Sequence, residues 1–485
     1  MASKKQAARG TFWATVERAA TQGISLVVVL ILARLLGPEN YGVVTLAATI
    51  ALFGQTLLGE TFSQALIQTK QLESEHVSSL FWVLFGAGVL ATGVVLIAAG
   101  SLARLFALPQ MTAILQALSP LLVFTSLQAV PTALFKRELD FRALAAASMG
   151  GTLLGGAAGI GLAFAGFGPW SLVANLLVQN AVVTAAIWRQ SGFRPNFLYS
   201  HRHLKDLWSY GQYTFFLRIA AFTANQSPRI LIGYLFGAPA LGAFSLGLRV
   251  VEIMYQLLSL PAANVLLPVI ATVRHDKKKL ERAVLGSTLL TAMISVPAFV
   301  GLALIAPLAV PLVFGPQWTS SVIIVQILAA YGIIVSSGLI WGSIVAGLGR
   351  PDINLAVATM AAIVSVGLLL LMAPWGLVAA AIAFVLRGYA ALPTFPFIIS
   401  RLTGITLSTQ ARVYAPILAA AAAMALVVMT VIQELSPFLT PLEVIGIAVL
   451  CGAASYAMAL YVFARPALRL GGSILADLNP RQKMA

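Results

Sequence analysis

The sequence predicts an all-α integral membrane protein of about fourteen transmembrane helices, with two six-helix lobes around a central cavity and two further C-terminal helices. Three observations predict it. Of the 485 residues, 60% are hydrophobic and only 9% charged, and the mean hydropathy is +0.94. Soluble domains carry roughly 25% charged residues, so a water-exposed surface cannot be built from this composition. The apolar residues also fall into runs of about 20–25, the length that crosses a hydrocarbon core of ~30 Å. Finally, turn motifs in the first half of the chain recur in the second.

The elements follow in order. A short basic start (Lys4, Lys5, Arg9) leads into an apolar run at 12–36, too long for a signal-peptide core and so read as a retained first span. Gly37-Pro38 ends it, and a second run follows at 42–67. Runs at 77–100 and 111–135 are bounded by polar loops. The run at 141–165 carries Gly151, Gly155 and Gly159 at four-residue spacing, the mark of close helix packing. Gly168-Pro169 opens 169–190, and Gly237-Ala238-Pro239 separates 207–236 from 241–272. Gly315-Pro316 separates 283–308 from 319–347, Arg350-Pro351 opens 353–373, and Pro374 precedes 376–400. The last two runs are 412–433 and 441–465.

Charge supports this order. The formal balance is +15, from 30 Lys+Arg against 15 Asp+Glu. In a soluble protein that excess would point to nucleic acid. Here it lies in short loops between apolar runs, which is how membrane orientation is encoded. With the N-terminus in the cytoplasm, the inner loops carry Lys70, then Lys136, Arg137 and Arg142, then Arg189 through Lys205, then Arg274 through Arg282, then Arg350, Arg401 and Arg412. The outer loops at 166–168, 237–240, 309–318, 374–375 and 434–440 contain no Lys or Arg; Arg34 and Arg104 are the outward exceptions. Both termini are therefore expected to be cytoplasmic. The longest hydrophilic stretch, 191–206, is about 16 residues. That argues against an enzyme, because membrane polymerases and ligases of glycans work on a large outward loop.

The motif Leu35-Leu36-Gly37-Pro38-Glu39-Asn40-Tyr41-Gly42 is echoed by Leu235-Phe236-Gly237-Ala238-Pro239-Ala240-Leu241-Gly242, so both glycines recur at an offset of 200, as do Arg18 and Arg218. Asp140 and Asp352 give a weaker echo. Matching orientation of the two copies implies parallel six-helix repeats, the architecture of alternating-access transporters. The expected lobes are 1–200 and 201–405, with 406–485 holding helices 13 and 14 and a cytoplasmic tail.

Ionisable groups inside hydrocarbon cost ~2.5–3.5 kcal/mol each on insertion scales and so mark function. Arg18, Arg218, Arg229, Arg249 and Arg387 fall within spans, as do Glu60 and Glu252. Arg18 and Arg218 each precede their glycine turn by 19 residues, or about 28 Å at ~1.5 Å per residue. Arg249, Glu252 and Gln256 share one helix face. A polar interior with excess positive charge suits an anion, since arginine keeps its charge when desolvated and grips phosphate with two parallel hydrogen bonds. The five arginines are the expected substrate contacts; Glu60 and Glu252 are expected to serve either ion coupling or pairing. The single Cys451 and the four histidines (76, 201, 203, 275) show no ligand spacing, so neither metal nor other cofactor is expected.

Three segments carry a family resemblance: Ala33 to Gly42, Val130-Pro131-Thr132-Ala133-Leu134-Phe135-Lys136-Arg137-Glu138-Leu139-Asp140-Phe141, and Leu312-Val313-Phe314-Gly315-Pro316-Gln317-Trp318. In order and span these resemble bacterial polysaccharide biosynthesis flippases of the multidrug/oligosaccharidyl-lipid/polysaccharide exporter superfamily, over about residues 10–465. The resemblance implies two lobes that open alternately to each side of the inner membrane. It implies a cargo of undecaprenyl-pyrophosphate-linked oligosaccharide for exopolysaccharide, capsule or O-antigen synthesis, with Arg18 and Arg218 placed to hold the pyrophosphate. Membrane lipids, a polysaccharide polymerase and export machinery are the expected partners, and nucleic acid is not. The alternatives within the superfamily are a lipid II flippase and a drug/cation antiporter.

Overall fold

A computed structural model describes residues 4–59, 66, 72–391 and 393–463. Those residues are helical almost throughout, with no strand among them. The helices are α1 (Lys4–Leu58), α2 (Ser74–Leu105), α3 (Met111–Leu118), α4 (Pro120–Glu138), α5 (Phe141–Phe164), α6 (Trp170–Ser191), α7 (His201–Leu258) and α8 (Leu260–Val273). They continue with α9 (Lys277–Phe314), α10 (Val322–Gly347), α11 (Pro351–Met372), α12 (Leu377–Ala391), α13 (Thr394–Thr403), α14 (Leu407–Leu435) and α15 (Pro441–Phe463).

Among the described residues, twelve stretches are long and apolar enough to cross a membrane. Two of them, Ala20–Leu58 and Arg218–Leu258, run to 39 and 41 residues, roughly twice the length one crossing needs. Each is broken at a single non-helical glycine, Gly37 (φ 72°, ψ 172°) and Gly237 (φ 79°, ψ −176°). This backbone region is open to glycine alone. The same conformation at both members of the repeated pair gives the sequence echo a physical basis. Past the breaks, the two turns meet. A side chain on Gly42 would strike the Ala238 carbonyl, and one on Gly242 would strike the Pro38 carbonyl. Subtracting the repeat offset from one contact gives the other, so the pairing is reciprocal.

Contacts divide the chain into two compact units, Met1–Ser245 and Leu246–Ala485. In the first, α5 lies close against α6 because Gly151, Gly155 and Gly159 leave room for the Gln179, Asn175 and Ser171 backbone, while Gly156 admits Val28 of α1. Asp140 caps α5 by accepting from the Ala143 N–H at 3.3 Å, which uses one of the amides a helix start leaves unpaired. In the second unit, Leu289, Ala292 and Val296 of α9 pack on Ile417, Ala420, Ala421, Met424 and Val428 of α14 and on Ala448 of α15. The Tyr456 hydroxyl of α15 donates to the Met293 carbonyl at 3.0 Å. Large apolar side chains such as Leu90, Ile97, Ile363 and Leu450 remain exposed, as hydrocarbon contact allows.

Candidate functional site

In the first unit a cavity of about 360 Å³ opens between four helices. The second arm of α1 and the turn that ends it supply Leu52, Gln55, Thr56 and Gly59, and α4 supplies Thr125, Gln128, Ala129, Thr132 and Lys136. Both sets fall at i, i+3, i+4 and i+7, the α4 set continuing to i+11, so each is one helical face. Asn180 of α6 and Arg218 of α7 complete the lining. Arg218 and Lys136 are its two cations, and none of the described lining residues is acidic.

The polar walls are held in place. Gln128 donates from Nε2 to the Thr184 hydroxyl at 2.7 Å and to the Asn180 carbonyl at 3.2 Å, joining α4 to α6. Thr56 and Thr125 donate to the Leu52 and Leu121 carbonyls of their own helices, at 2.7 and 2.8 Å. A hydroxyl that donates to its own backbone still has lone pairs to offer an incoming donor. Fixed amides and hydroxyls beside two cations suit a ligand that is part anion and part polyol. In a low-dielectric wall the attraction for the anion exceeds its value in water.

Of the residues singled out from sequence, Arg218 lies in this cavity. The Arg18 side chain and all of Glu60 lie outside the described residues. Arg229, eight residues before the Gly237 break, donates from Nη1 to Gln226 Oε1 at 2.5 Å and does not line the cavity. In the second unit, Arg249 Nη1 stands 3.7 Å from Glu252 Oε2, with both side chains about three quarters buried. Arg387 is 5% exposed. It donates to Ser365 Oγ at 3.1 Å and to the Tyr331 hydroxyl at 3.4 Å, and its guanidinium lies 3.9 Å from the Phe384 ring centroid. That enclosure ties α12 to α10 and α11 and stabilises the cation by the ring quadrupole. A second cavity, about 490 Å³ among Met254, Met293, Met424 and Tyr456, has no charge among its described lining residues, which offer no grip for a phosphate.

The Arg249–Glu252 distance sets up a test. If Glu252 only neutralises Arg249, Glu252→Gln loses transport and a second change, Arg249→Met, restores most of it. That restoration is the expected result, because removing one partner leaves the other charge desolvated. A double variant as inactive as the single one, in gradient-driven flipping, would assign Glu252 to ion coupling instead.

Sequence reasoning missed Lys136, which it read as a loop charge setting orientation. Its spacing of four and eleven residues from Thr132 and Thr125 was the available signal.

The sequence profile of the family described as polysaccharide biosynthesis protein matches residues 31–323. The succinoglycan biosynthesis transport protein ExoT of Rhizobium meliloti (strain 1021) is 30% identical over 314 residues, 65% of this chain. The match covers 64% of that protein, a little under two thirds of its length. The lipopolysaccharide biosynthesis protein WzxC of Escherichia coli (strain K12) is 24% identical over 73% of this chain and 72% of its own. Among solved structures, the lipid II flippase MurJ in an inward closed conformation superposes with a TM-score of 0.78, covering 95% of this chain and 99% of its own at 13% identity. An inward-facing multidrug resistance MATE family transporter gives 0.63 over 80% of this chain and 94% of its own, at 18% identity. At these identities the two structures show a shared fold.

Proposed function

The chain belongs to the polysaccharide biosynthesis protein family, and from that premise we propose that it is a flippase for undecaprenyl-pyrophosphate-linked oligosaccharide repeat units. The units would cross the bacterial cytoplasmic membrane for exopolysaccharide, capsule or O-antigen synthesis. The observation that carries the reading is the cavity lined by Arg218 and Lys136, from two different helices, together with amides and hydroxyls. The cations hold the pyrophosphate, the amides and hydroxyls meet the sugars, and the lipid tail stays in the bilayer. No covalent step is part of this cycle. The sequence has no Walker-type loop, so an ion gradient or the membrane potential supplies the energy; Glu60 is the candidate coupling carboxylate, and Glu252 takes that role only if the Arg249 double variant stays inactive. The released unit passes to a polysaccharide polymerase and export machinery.

Two six-helix lobes, 1–200 and 201–405, would alternate access, with 406–485 appended. In this reading each glycine-broken helix crosses twice, which makes fourteen crossings and leaves both termini inside. Reporters after Met1 and within 274–282 are expected on the cytoplasmic side and one near Pro437 outside. An inner-side signal at Pro437 removes the last two crossings as drawn.

Deleting the gene and identifying the glycan lipid that accumulates on the inner face tests the function. A lipid-linked oligosaccharide repeat unit is expected. Accumulation of lipid II would select the peptidoglycan alternative. The drug/cation antiporter is disfavoured by two cations and no acid among the described lining residues, and increased drug sensitivity of the deletion strain with no glycan defect would reinstate it.

A further inference from the structure

Away from the cavity, three residues of metal-ligand type converge in the first unit. Glu73, His76 and His203 each offer one donor atom, and the three atoms lie within 4.8 Å of one another. We propose that Glu73, His76 and His203 form a binding site for one divalent transition-metal ion, with Zn²⁺ as the best fit. With the two histidines 127 residues apart, no ligand spacing announces the group.

The site is built on fixed elements. Glu73 is the N-cap of α2; its carboxylate accepts from the His76 backbone N–H, and its own N–H donates to His76 Nδ1 at 3.4 Å. His76 is buried, and its ring lies 4.2 Å from that of His203, centroid to centroid. His203 sits in the first turn of α7, its Nδ1 2.7 Å from Ser200 Oγ. The Ser200 N–H in turn donates to Ser79 Oγ at 2.8 Å. The Trp82 indole donates to the Asn196 carbonyl at 2.9 Å and stacks on Phe197 at 4.8 Å. The segment before α7 is thus tied to α2 by several side chains. A metal-ligating histidine is usually oriented by a hydrogen bond from its other ring nitrogen, the part Ser200 Oγ plays for His203 Nδ1.

The distances fit an ion. His203 Nε2 stands 3.2 Å from Glu73 Oε2. Tetrahedral ligands at ~2.0–2.1 Å from zinc are roughly 3.3 Å apart, so this pair already has the required separation. When Nδ1–H donates to Ser200, Nε2 presents a lone pair to the carboxylate, and a cation between them removes the repulsion. His76 closes the set by a shift of up to about 1.5 Å, which also releases its Nδ1 from the long 3.4 Å contact with the Glu73 N–H. Two imidazoles and one carboxylate favour Zn²⁺, Co²⁺, Ni²⁺ or Cu²⁺ over Mg²⁺ and Ca²⁺. Three protein ligands leave one position for water. The bound ion would staple the start of α2 to the start of α7, the helix that carries Arg218. The competing account is a plain hydrogen-bonded Glu73–His203 ion pair with no metal.

The test uses the full chain, untagged, in detergent and stripped of metal. Co²⁺ is titrated in and its ligand-field bands followed, then Zn²⁺ is added to displace it. The expected result is one equivalent bound with a tetrahedral-type spectrum. Glu73→Gln and His203→Ala are each expected to weaken binding about tenfold or more, while His201→Ala and His275→Ala bind as the parent does. Zn²⁺, but not Mg²⁺, should raise the unfolding temperature of the parent and not of His203→Ala, since an ion that binds only the folded chain stabilises it by mass action. Thermal unfolding without metal confirms that each variant is folded. A parent chain that binds neither ion, or folded Glu73→Gln and His203→Ala variants that bind as tightly as the parent, overturns the proposal and leaves the ion pair.

Discussion

Replacing Arg218 with alanine is expected to lower flipping roughly ten- to a hundredfold while leaving the protein level near normal. Arg218 is half-buried and lines the same cavity as Lys136 of α4. Charge-assisted hydrogen bonds to a pyrophosphate contribute ~1.5–3 kcal/mol each, and 1.4 kcal/mol is a factor of ten. Arg218→Lys should rescue only in part, because an ammonium keeps the charge and loses the two-pronged geometry. Arg18→Ala should behave alike if the repeat places it as it places Arg218. Lys136→Ala should fall in the same direction by less, since the residue it removes is a point charge. Flipping and protein level, measured together for these variants, decide the matter. Full activity of Arg218→Ala at a normal protein level would falsify the clamp. Reduced membrane insertion that lysine fully repairs would instead mark Arg218 as an interfacial anchor.

Much of the fold was legible because hydrocarbon imposes a simple rule: every backbone polar group must be satisfied within its own segment, so apolar runs become helices. The Gly37 and Gly237 turns were legible for the same reason, since a helix interrupted at a glycine one or two residues before a proline leaves few alternatives. The site was legible only where a residue broke the rule. Arg218 stood out as a charge in an apolar run. Lys136 did not, because it lies in the last turn of α4 beside Arg137, where a basic residue also serves the helix dipole and the membrane orientation. Arg387 broke the rule as plainly as Arg218 did. What surrounds it is an aromatic and hydroxyl enclosure drawn from three helices, and only the folded chain assembles Ser365, Tyr331 and Phe384 around one guanidinium. The Glu73–His76–His203 group was hidden by sequence distance alone.

The second large effect is expected at the paired turns. Gly42→Ala should stop the turn after Gly37 from meeting the turn after Gly237, because the added methyl strikes the Ala238 carbonyl, and Gly242→Ala should do the same against the Pro38 carbonyl. The obstruction is backbone on both sides, with no flexible side-chain tip to move aside. Overpacking of this kind costs roughly 1–3 kcal/mol, and about 2.7 kcal/mol already shifts a two-state equilibrium near a hundredfold. Both turns lie at the outer ends of their helices in the proposed topology, so the closed outer side is the state that suffers. Each single variant should therefore unfold at a lower temperature than the parent and flip its cargo at a small fraction of the parent rate. The pairing is reciprocal, so the two effects should not add: once one methyl has forced the turns apart, the second meets open space. The double variant is expected to behave like either single one. Gly23→Ala is the control on the first arm of α1, where an added Cβ has nothing within 4 Å; there alanine's higher helix propensity should be neutral or mildly stabilising. Thermal unfolding and flipping rates of the four variants read out the outcome. Singles that match the parent in both would show that the turns separate without cost. Strictly additive losses in the double variant would mean two independent contacts, and the two-fold relation between the repeats would then have no energetic consequence at this point.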